Sequence, residues 1–139
     1  MNNYTFNQIK IGQIFSFQKK ISNSLINKFV KDYGDINPLH SNFKYAKSKR
    51  FKNILVPGML SSSFFSKLVG VYVPGKKSLL LSNNIDFIKP IYPNDTIKIL
   101  GKVVNKDKKY SIIFIDAKIC VNNIVCIKSK IKAKIIWII

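Results

Sequence analysis

The single histidine of the chain lies in the segment Tyr33 to His40, which reads YGDINPLH. Asp35 precedes His40 by five residues, and Asn37 and Pro38 stand between them. Because proline fixes its own φ and makes the preceding residue extended, the sequence predicts that Asp35 and His40 lie on a rigid bend. A carboxylate beside an imidazole raises its basicity, so the pair can bind and deprotonate a water molecule. The same residues also make an ordinary turn, in which a lone histidine is only a satisfied polar side chain.

The backbone of Gly58 is a second candidate group, because it follows Pro57 and opens the apolar segment GMLSSSFFSKLVG. The first N–H groups of a helix lack partners within it and lie at the positive end of its dipole. Such a position can receive a developing oxyanion, and glycine lets a ligand approach the backbone closely. At helical spacing, Ser66 and Val69 follow on one stripe and offer a hydroxyl and an apolar wall. Alternatively, Pro57 and Gly58 only start a helix, and the serines are small packing residues.

The elements that position these groups in the first half are mainly helical. Residues 22–33 place Leu25, Ile26, Phe29 and Val30 on one face, which predicts an amphipathic helix capped by Ser22 and ended by Gly34. Residues 42–50 predict a short polar helix or turns, with Phe43, Tyr45 and Phe51 as anchors. The segment after Gly58 is apolar almost all round for about three turns before the region of Gly70 to Gly75, which is typical of a helix buried within a fold.

The second half of the chain is rich in β-branched and aromatic residues. It predicts strands at Ser78 to Phe87, Thr96 to Val104, Tyr110 to Val121 and Ile124 to Ile139. In the last of these, lysines at 128, 130, 132 and 134 alternate with Ile127, Ser129, Ile131, Ala133 and Ile135. One face of the sheet is therefore expected to be exposed to solvent and the other to cover the core. We expect an α+β fold over a single domain, residues 1–139, with an antiparallel sheet wrapped around a long central helix.

The charge of the chain is strongly positive, with 24 Lys and Arg against 6 Asp and a formal net charge of +18. A positive surface attracts polyanions, so a nucleic-acid-binding module is one alternative. Base drift in the genome is another source of the charge, since the basic residues are lysines except for Arg50 and occur with abundant Ile and Asn. The chain lacks a zinc motif or a basic stripe interleaved with aromatics, and we expect no specific nucleic-acid partner.

The remaining composition predicts neither a metal site nor an export signal. Cys120 and Cys126 have no histidine beside them, so they are expected to fill apolar strand positions, with no metal or other cofactor. No apolar stretch follows a basic flank at the N-terminus, and no run of about 18 apolar residues occurs. We expect a cytoplasmic protein with no membrane partner.

The motif G-D-x-N-P-L-H at residues 34–40, together with ILVPGMLSSSFFSKLVG and SNNIDFIKPIYPNDTI, resembles the MaoC-like dehydratases. The similarity is greatest to short (R)-specific enoyl-CoA hydratases. It implies a hot dog fold, a homodimer, and reversible hydration of trans-2-enoyl-CoA to (R)-3-hydroxyacyl-CoA. It also implies roles for individual residues: Asp35 and His40 as the catalytic pair, Gly58 as the oxyanion donor, and Asn37, Ser66 and Val69 in substrate binding.

Two positions depart from the pattern of that family. Pro57 stands where many members have histidine, and Asn94-Asp95 replaces a Gly-Asp turn. Because asparagine tolerates a left-handed backbone, we expect this turn to be retained.

Two alternative functions within the same fold remain. One is a 3-hydroxyacyl-[acyl carrier protein] dehydratase of fatty acid synthesis, whose acidic carrier protein would be attracted to a basic enzyme. The other is a non-catalytic scaffold. The intact Asp35, Asn37, His40 and Gly58 argue against the scaffold.

Overall fold

The computed structural model describes residues 1–136, so the end of the predicted last strand, residues 137–139, lies outside the described part. Within it, one antiparallel sheet has the strand order β1-β3-β4-β5-β2. Its strands are β1 (Ile14–Lys20), β2 (Ser78–Phe87), β3 (Thr96–Asp107), β4 (Ile112–Val121) and β5 (Ile124–Ile135). The four strands predicted in the second half of the chain are thus confirmed, and β3 is three residues longer than expected.

Strand β1 lies in the first half of the chain, where the sequence predicted mainly helical elements. It pairs with β3 at the sheet edge, with Phe17 opposite Ile99. Only Phe15 and Phe17 of this strand are partly buried against the core. Two apolar residues in alternation are too few to predict a strand from the sequence. The hydrogen bonds that stabilise β1 come from its pairing with β3.

The two short helices of the first half follow the predicted pattern with one correction. Helix α1 (Asn23–Tyr33) begins after Ser22, whose Oγ accepts a hydrogen bond from the Leu25 N–H at 3.2 Å, and ends at Gly34 with φ of +72°. Helix α2 (Phe43–Ser48) is also present. Phe43 and Tyr45 were expected to anchor it, but both are exposed and Ala46 is the buried residue. A six-residue helix buries one side only, and the smallest apolar residue faces the core here.

The predicted central helix forms as three consecutive helical pieces. These are α3 (Gly58–Ser62), α4 (Phe64–Lys67) and a π-helical turn (Leu68–Tyr72), so helical structure continues through Gly70. Four of its apolar side chains are buried: Leu60, Phe65, Leu68 and Val69. Met59, by contrast, is 62% exposed, so the segment is apolar all round but not buried all round.

Small residues of the sheet make room for this central segment. Gly101 of β3 lies opposite Ala117 of β4, which lies opposite Ser129 of β5. A Cβ atom at Gly101 would lie 2.6 Å from Cδ2 of Leu68, well inside van der Waals contact. The helix therefore packs directly on the backbone of β3. This contact confirms an antiparallel sheet around a central helix, an α+β fold.

The alternation predicted for the last strand is confirmed. Side chains of β5 at 127, 129, 131, 133 and 135 are buried, whereas lysines 128, 130 and 132 are exposed on the outer face.

The expected turn at Asn94 is also present, with φ of +68° and the Asp95 carboxylate accepting a hydrogen bond from the Tyr92 N–H at 2.9 Å. Both cysteines are free and buried in strands, as predicted. None of the helices within residues 1–136 is long and apolar enough to cross a membrane.

Candidate active site

The bend between Asp35 and His40 is held by local hydrogen bonds. A 3₁₀ turn (Pro38–His40) follows Asn37, whose Oδ1 accepts from the Leu39 N–H at 2.9 Å. The His40 N–H donates to the Asn37 carbonyl oxygen at 2.9 Å, and the Asn37 N–H points to Oδ1 of Asp35 at 3.4 Å. The predicted rigid bend is therefore present, and Asn37 is its cap. The side chain of Asn37 is committed to this turn.

The side chains of Asp35 and His40 lie together at the edge of a cavity. Oδ2 of Asp35 is 3.4 Å from Nε2 of His40, and their side chains are 43% and 14% exposed. Nδ1 of His40 lies 2.8 Å from the carbonyl oxygen of Leu55. The Leu55 N–H in turn donates to the Leu39 carbonyl oxygen at 2.8 Å, which ties the bend to the irregular segment before Gly58. The imidazole is thus fixed through Nδ1, and its Nε2 faces the Asp35 carboxylate.

This geometry determines which nitrogen is available as a base. A carbonyl oxygen only accepts hydrogen bonds, so Nδ1 carries the proton in the neutral ring and Nε2 carries the lone pair. The carboxylate of Asp35 is an acceptor as well. A separation of 3.4 Å lets one water molecule approach both acceptors and donate a proton to each. A water held in this way is aligned for deprotonation.

The backbone of Gly58 borders the same cavity. The first helical N–H groups that find a carbonyl partner are those of Leu60 and Ser61, both bonded to the Pro57 oxygen at 3.0 and 3.2 Å. The Gly58 N–H precedes them, at the open end of the helix. A Cβ atom at Gly58 would lie 2.7 Å from the Phe87 ring, so a side chain at this position would have to displace the ring.

The cavity has a volume of about 490 Å³ and mostly apolar walls. Its polar members are Asp35, His40, Gly58, Ser61 and Lys89. The apolar walls come from the segment before the helix, the helix itself, the end of β2, the loop after it and β5, and include Phe51, Val56, Met59, Phe87, Ile91 and Ile127. A pocket with mostly apolar walls and a few polar groups suits a small ligand with an apolar portion. No cluster of three or more His, Cys, Asp or Glu side chains that could hold a metal ion occurs among the described residues.

The structure does not bring every predicted site residue to this cavity. Ser66 is exposed and Val69 is 2% exposed, and neither lines it. Their assignment to substrate binding, like that of Asn37, stays a prediction. Sequence reasoning also passed over Ser61 and Phe87, which do line it. Ser61 follows Gly58 by three residues, and that helical spacing is the signal that could have found it.

The positive charge of the chain does not concentrate at this cavity. Of the residues that line it in the described structure, Lys89 is the one basic residue. A separate groove of about 530 Å³ on the outer face of the sheet is lined by Lys102, Lys118, Lys128 and Lys130, with Asp86 and Asp116 among them. These lysines thus lie on the outer face of the sheet and not at the cavity.

Comparison with known proteins identifies the fold. The solved (R)-hydratase from A. caviae involved in PHA biosynthesis matches 93% of this chain and 98% of its own, with a TM-score of 0.88 and 25% sequence identity. The R-hydratase PhaJ1 from Pseudomonas aeruginosa matches with a TM-score of 0.89 at 21% identity, covering 96% of this chain and 86% of its own. The architecture is a hot dog fold, as expected.

Sequence comparison identifies the family. The model of the MaoC like domain matches residues 6–122, and the chain belongs to this family. An (R)-specific enoyl-CoA hydratase from Rhodospirillum rubrum is 37% identical over 92 residues, 66% of this chain and 64% of the relative. The mitochondrial 3-hydroxyacyl-[acyl-carrier-protein] dehydratase FERN from Solanum lycopersicum is 32% identical over 91 residues, 66% of this chain and 54% of the relative. The chain thus spans less than two thirds of the length of these two relatives.

Proposed function

We propose that this chain is a hydro-lyase that hydrates trans-2-enoyl-CoA to (R)-3-hydroxyacyl-CoA and catalyses the reverse dehydration. The observation that carries the proposal is the Asp35–His40 pair, whose separation of 3.4 Å and imidazole orientation leave two acceptors for one water. The apolar cavity beside the pair supports an acyl substrate. The relatives named hydratase and dehydratase, which are hydro-lyases, support the reaction class.

In the proposed mechanism, the pair binds one water and takes one of its protons while the oxygen bonds to C3 of the enoyl thioester. C2 receives a proton on the same face, so that one water is added across the double bond. Nε2 of His40 and Oδ2 of Asp35 both present lone pairs to the water, and either is able to act as the formal base. The Gly58 N–H stabilises the enolate-like thioester oxygen. General acid–base catalysis contributes about 10²–10⁴-fold and one oxyanion donor about 10²–10³-fold.

A second candidate function is the dehydration of 3-hydroxyacyl groups on an acyl carrier protein. The relative of that name from Solanum lycopersicum and the net charge of +18, which would attract an acidic carrier, favour it. The two functions share the chemistry and differ in the carrier. Turnover of crotonyl-CoA against crotonyl-carrier protein at equal concentrations separates them.

We also propose that the chain acts as a homodimer joined through β2. This strand is an edge of the sheet, and it exposes apolar side chains that include Leu79, Leu80, Leu81 and Phe87. An apolar edge strand invites pairing with another chain. Phe87 at the end of β2 also lines the cavity, so a second copy on this edge would lie beside the site. The expected cytoplasmic location stays a prediction.

The experiment that tests the proposed function is a hydration assay with enoyl-CoA substrates from C4 to C12 and chiral analysis of the product. We expect (R)-3-hydroxyacyl-CoA, with a chain-length optimum that reports the depth of the cavity. An (S) product, or no hydration of any substrate by a folded protein on either carrier, would contradict the proposal.

A further inference from the structure

Ser61 is a buried hydroxyl-bearing residue that the mechanism above does not use. It lies in α3, is 1% exposed and lines the cavity with Asp35, His40 and Gly58. Its Oγ has no hydrogen-bond partner among the described residues. The neighbouring serines behave differently, since Ser62 Oγ donates to the Met59 oxygen at 3.3 Å and Ser63 Oγ donates to the Leu60 oxygen at 2.6 Å.

One of the two local acceptors of Ser61 is already in use. A serine within a helix donates to the carbonyl oxygen three or four residues earlier, which for Ser61 is that of Gly58 or Pro57. The Pro57 oxygen already accepts from the Leu60 N–H at 3.0 Å and the Ser61 N–H at 3.2 Å. A carbonyl oxygen has two lone pairs, so both are in use. Burying a hydroxyl without a hydrogen-bond partner costs free energy of folding. A ligand that accepts a hydrogen bond from this hydroxyl would account for its burial.

The position of Ser61 indicates which ligand atom that is. Residues three apart on a helix lie on one face, so Ser61 stands one turn behind Gly58 on the same side. Both line the cavity that also contains His40. A single χ angle separates the serine Oγ from its backbone, so the hydroxyl turns toward a ligand without backbone movement. A thioester carbonyl oxygen has two lone pairs, of which the Gly58 N–H occupies one.

We infer that the Ser61 hydroxyl donates a hydrogen bond to the thioester carbonyl oxygen of the substrate, as a second donor beside the Gly58 N–H. This inference rests on the proposed function. Because negative charge develops on this oxygen as the nucleophile adds to C3, the bond strengthens in the transition state. Ser61 therefore raises kcat more than it lowers KM.

The test compares Ser61→Ala with Ser62→Ala, a neighbouring buried serine that does not line the cavity. With crotonyl-CoA, Ser61→Ala is expected to lower kcat about 10²-fold with little change in KM, and Ser62→Ala to leave kcat near the unmodified value. Ser61→Thr retains the hydroxyl and is expected to recover most of the activity. The melting temperature of Ser61→Ala should equal or exceed that of the unmodified protein, because the substitution removes an unpaired buried group.

A direct readout is the infrared carbonyl band of bound butyryl-CoA, a saturated thioester that the enzyme cannot hydrate. Two donors shift this band to lower wavenumber, and Ser61→Ala should reverse part of the shift. The inference is overturned if folded Ser61→Ala keeps kcat within about twofold of the unmodified protein, or if the carbonyl band does not change. Equal losses of activity and melting temperature in Ser61→Ala and Ser62→Ala would show packing instead, and would overturn it too.

Failure of the inference is distinguishable from failure of the proposed function. If the unmodified chain hydrates crotonyl-CoA, Asp35→Asn abolishes the activity and Ser61→Ala does not reduce it, only the role of Ser61 is wrong. If the folded unmodified chain hydrates no enoyl thioester on either carrier, both are wrong.

Discussion

The imidazole of His40 donates through Nδ1 to the backbone carbonyl oxygen of Leu55 at 2.8 Å, while Nε2 faces Oδ2 of Asp35 at 3.4 Å. The carbonyl oxygen keeps the proton on Nδ1 and leaves the Nε2 lone pair toward the cavity. The imidazole is therefore oriented by a backbone atom on one side and faces a carboxylate on the other.

The tautomer of His40 is directly measurable because the chain contains a single histidine. We expect long-range ¹H–¹⁵N spectra at alkaline pH to show the form protonated at Nδ1. The ¹⁵N chemical shifts of the two imidazole nitrogens identify the tautomer, and no signal from a second histidine overlaps them. A ring protonated at Nε2 would contradict the proposed orientation of the base.

Removal of either member of the pair should abolish activity without unfolding the protein. Asp35→Asn and His40→Ala are each expected to lower kcat/KM by about 10²–10⁴-fold. Asp35→Asn removes the charge and basicity of the carboxylate, and His40→Ala removes the Nε2 lone pair. Circular dichroism should remain that of the folded protein. Asp32→Asn is the matched control, since Asp32 is an exposed carboxylate paired with Lys28 at 2.9 Å outside the cavity. Full activity in Asp35→Asn would refute the assignment.

Gly58→Ala should disturb the site in two separable ways. The added Cβ would meet the Phe87 ring at 2.7 Å and displace it, and it would also crowd the approach of substrate to the Gly58 N–H. We expect a fall in kcat/KM of about 10²-fold. The double variant Gly58→Ala/Phe87→Ala removes the ring and isolates the second effect. If the double variant regained the activity of Phe87→Ala alone, the close approach of substrate to Gly58 would be wrong.

The contact between Leu68 and Gly101 should determine how well the central segment packs on the sheet. Gly101→Ala places a methyl group 2.6 Å from the Leu68 side chain, and we expect the free energy of unfolding to fall by about 1–3 kcal/mol. In a Leu68→Ala background the same substitution should cost much less, because the clashing methyl groups are gone. Urea denaturation of the four proteins measures this coupling; additive losses would show that the two residues do not meet.

The proposed dimer should depend on β2. Leu80→Lys introduces a charge at an exposed apolar position of that edge strand, and we expect a shift from dimer to monomer in light scattering. Ile14→Lys at the opposite edge of the sheet, on β1, is the control and should leave the dimer intact. If the unmodified chain is a monomer at micromolar concentration, the dimer proposal fails.

Much of the fold was predictable because its signals are local. The limits of β2, the caps at Ser22 and Gly34, the turn at Asn94 and the alternation of β5 each depend on a few adjacent residues. Periodicity, capping and turn chemistry act over such short distances. The bend from Asp35 to His40 was predictable for the same reason. Strand β1 was not, because a short edge strand is stabilised by its partner β3 more than by its own pattern.

The sequence by itself determined that the chain carries a carboxylate and an imidazole on one rigid bend, and a glycine at the start of an apolar helix. Only the tertiary structure decided that the Leu55 carbonyl orients His40, that Ser61 Oγ has no partner within residues 1–136, and that the Phe87 ring lies against Gly58. The physical reason is that a backbone carbonyl is present at every residue, so no side-chain type marks the one that binds. Which groups are buried and unpaired likewise depends on how distant segments pack, and local patterns do not contain that information.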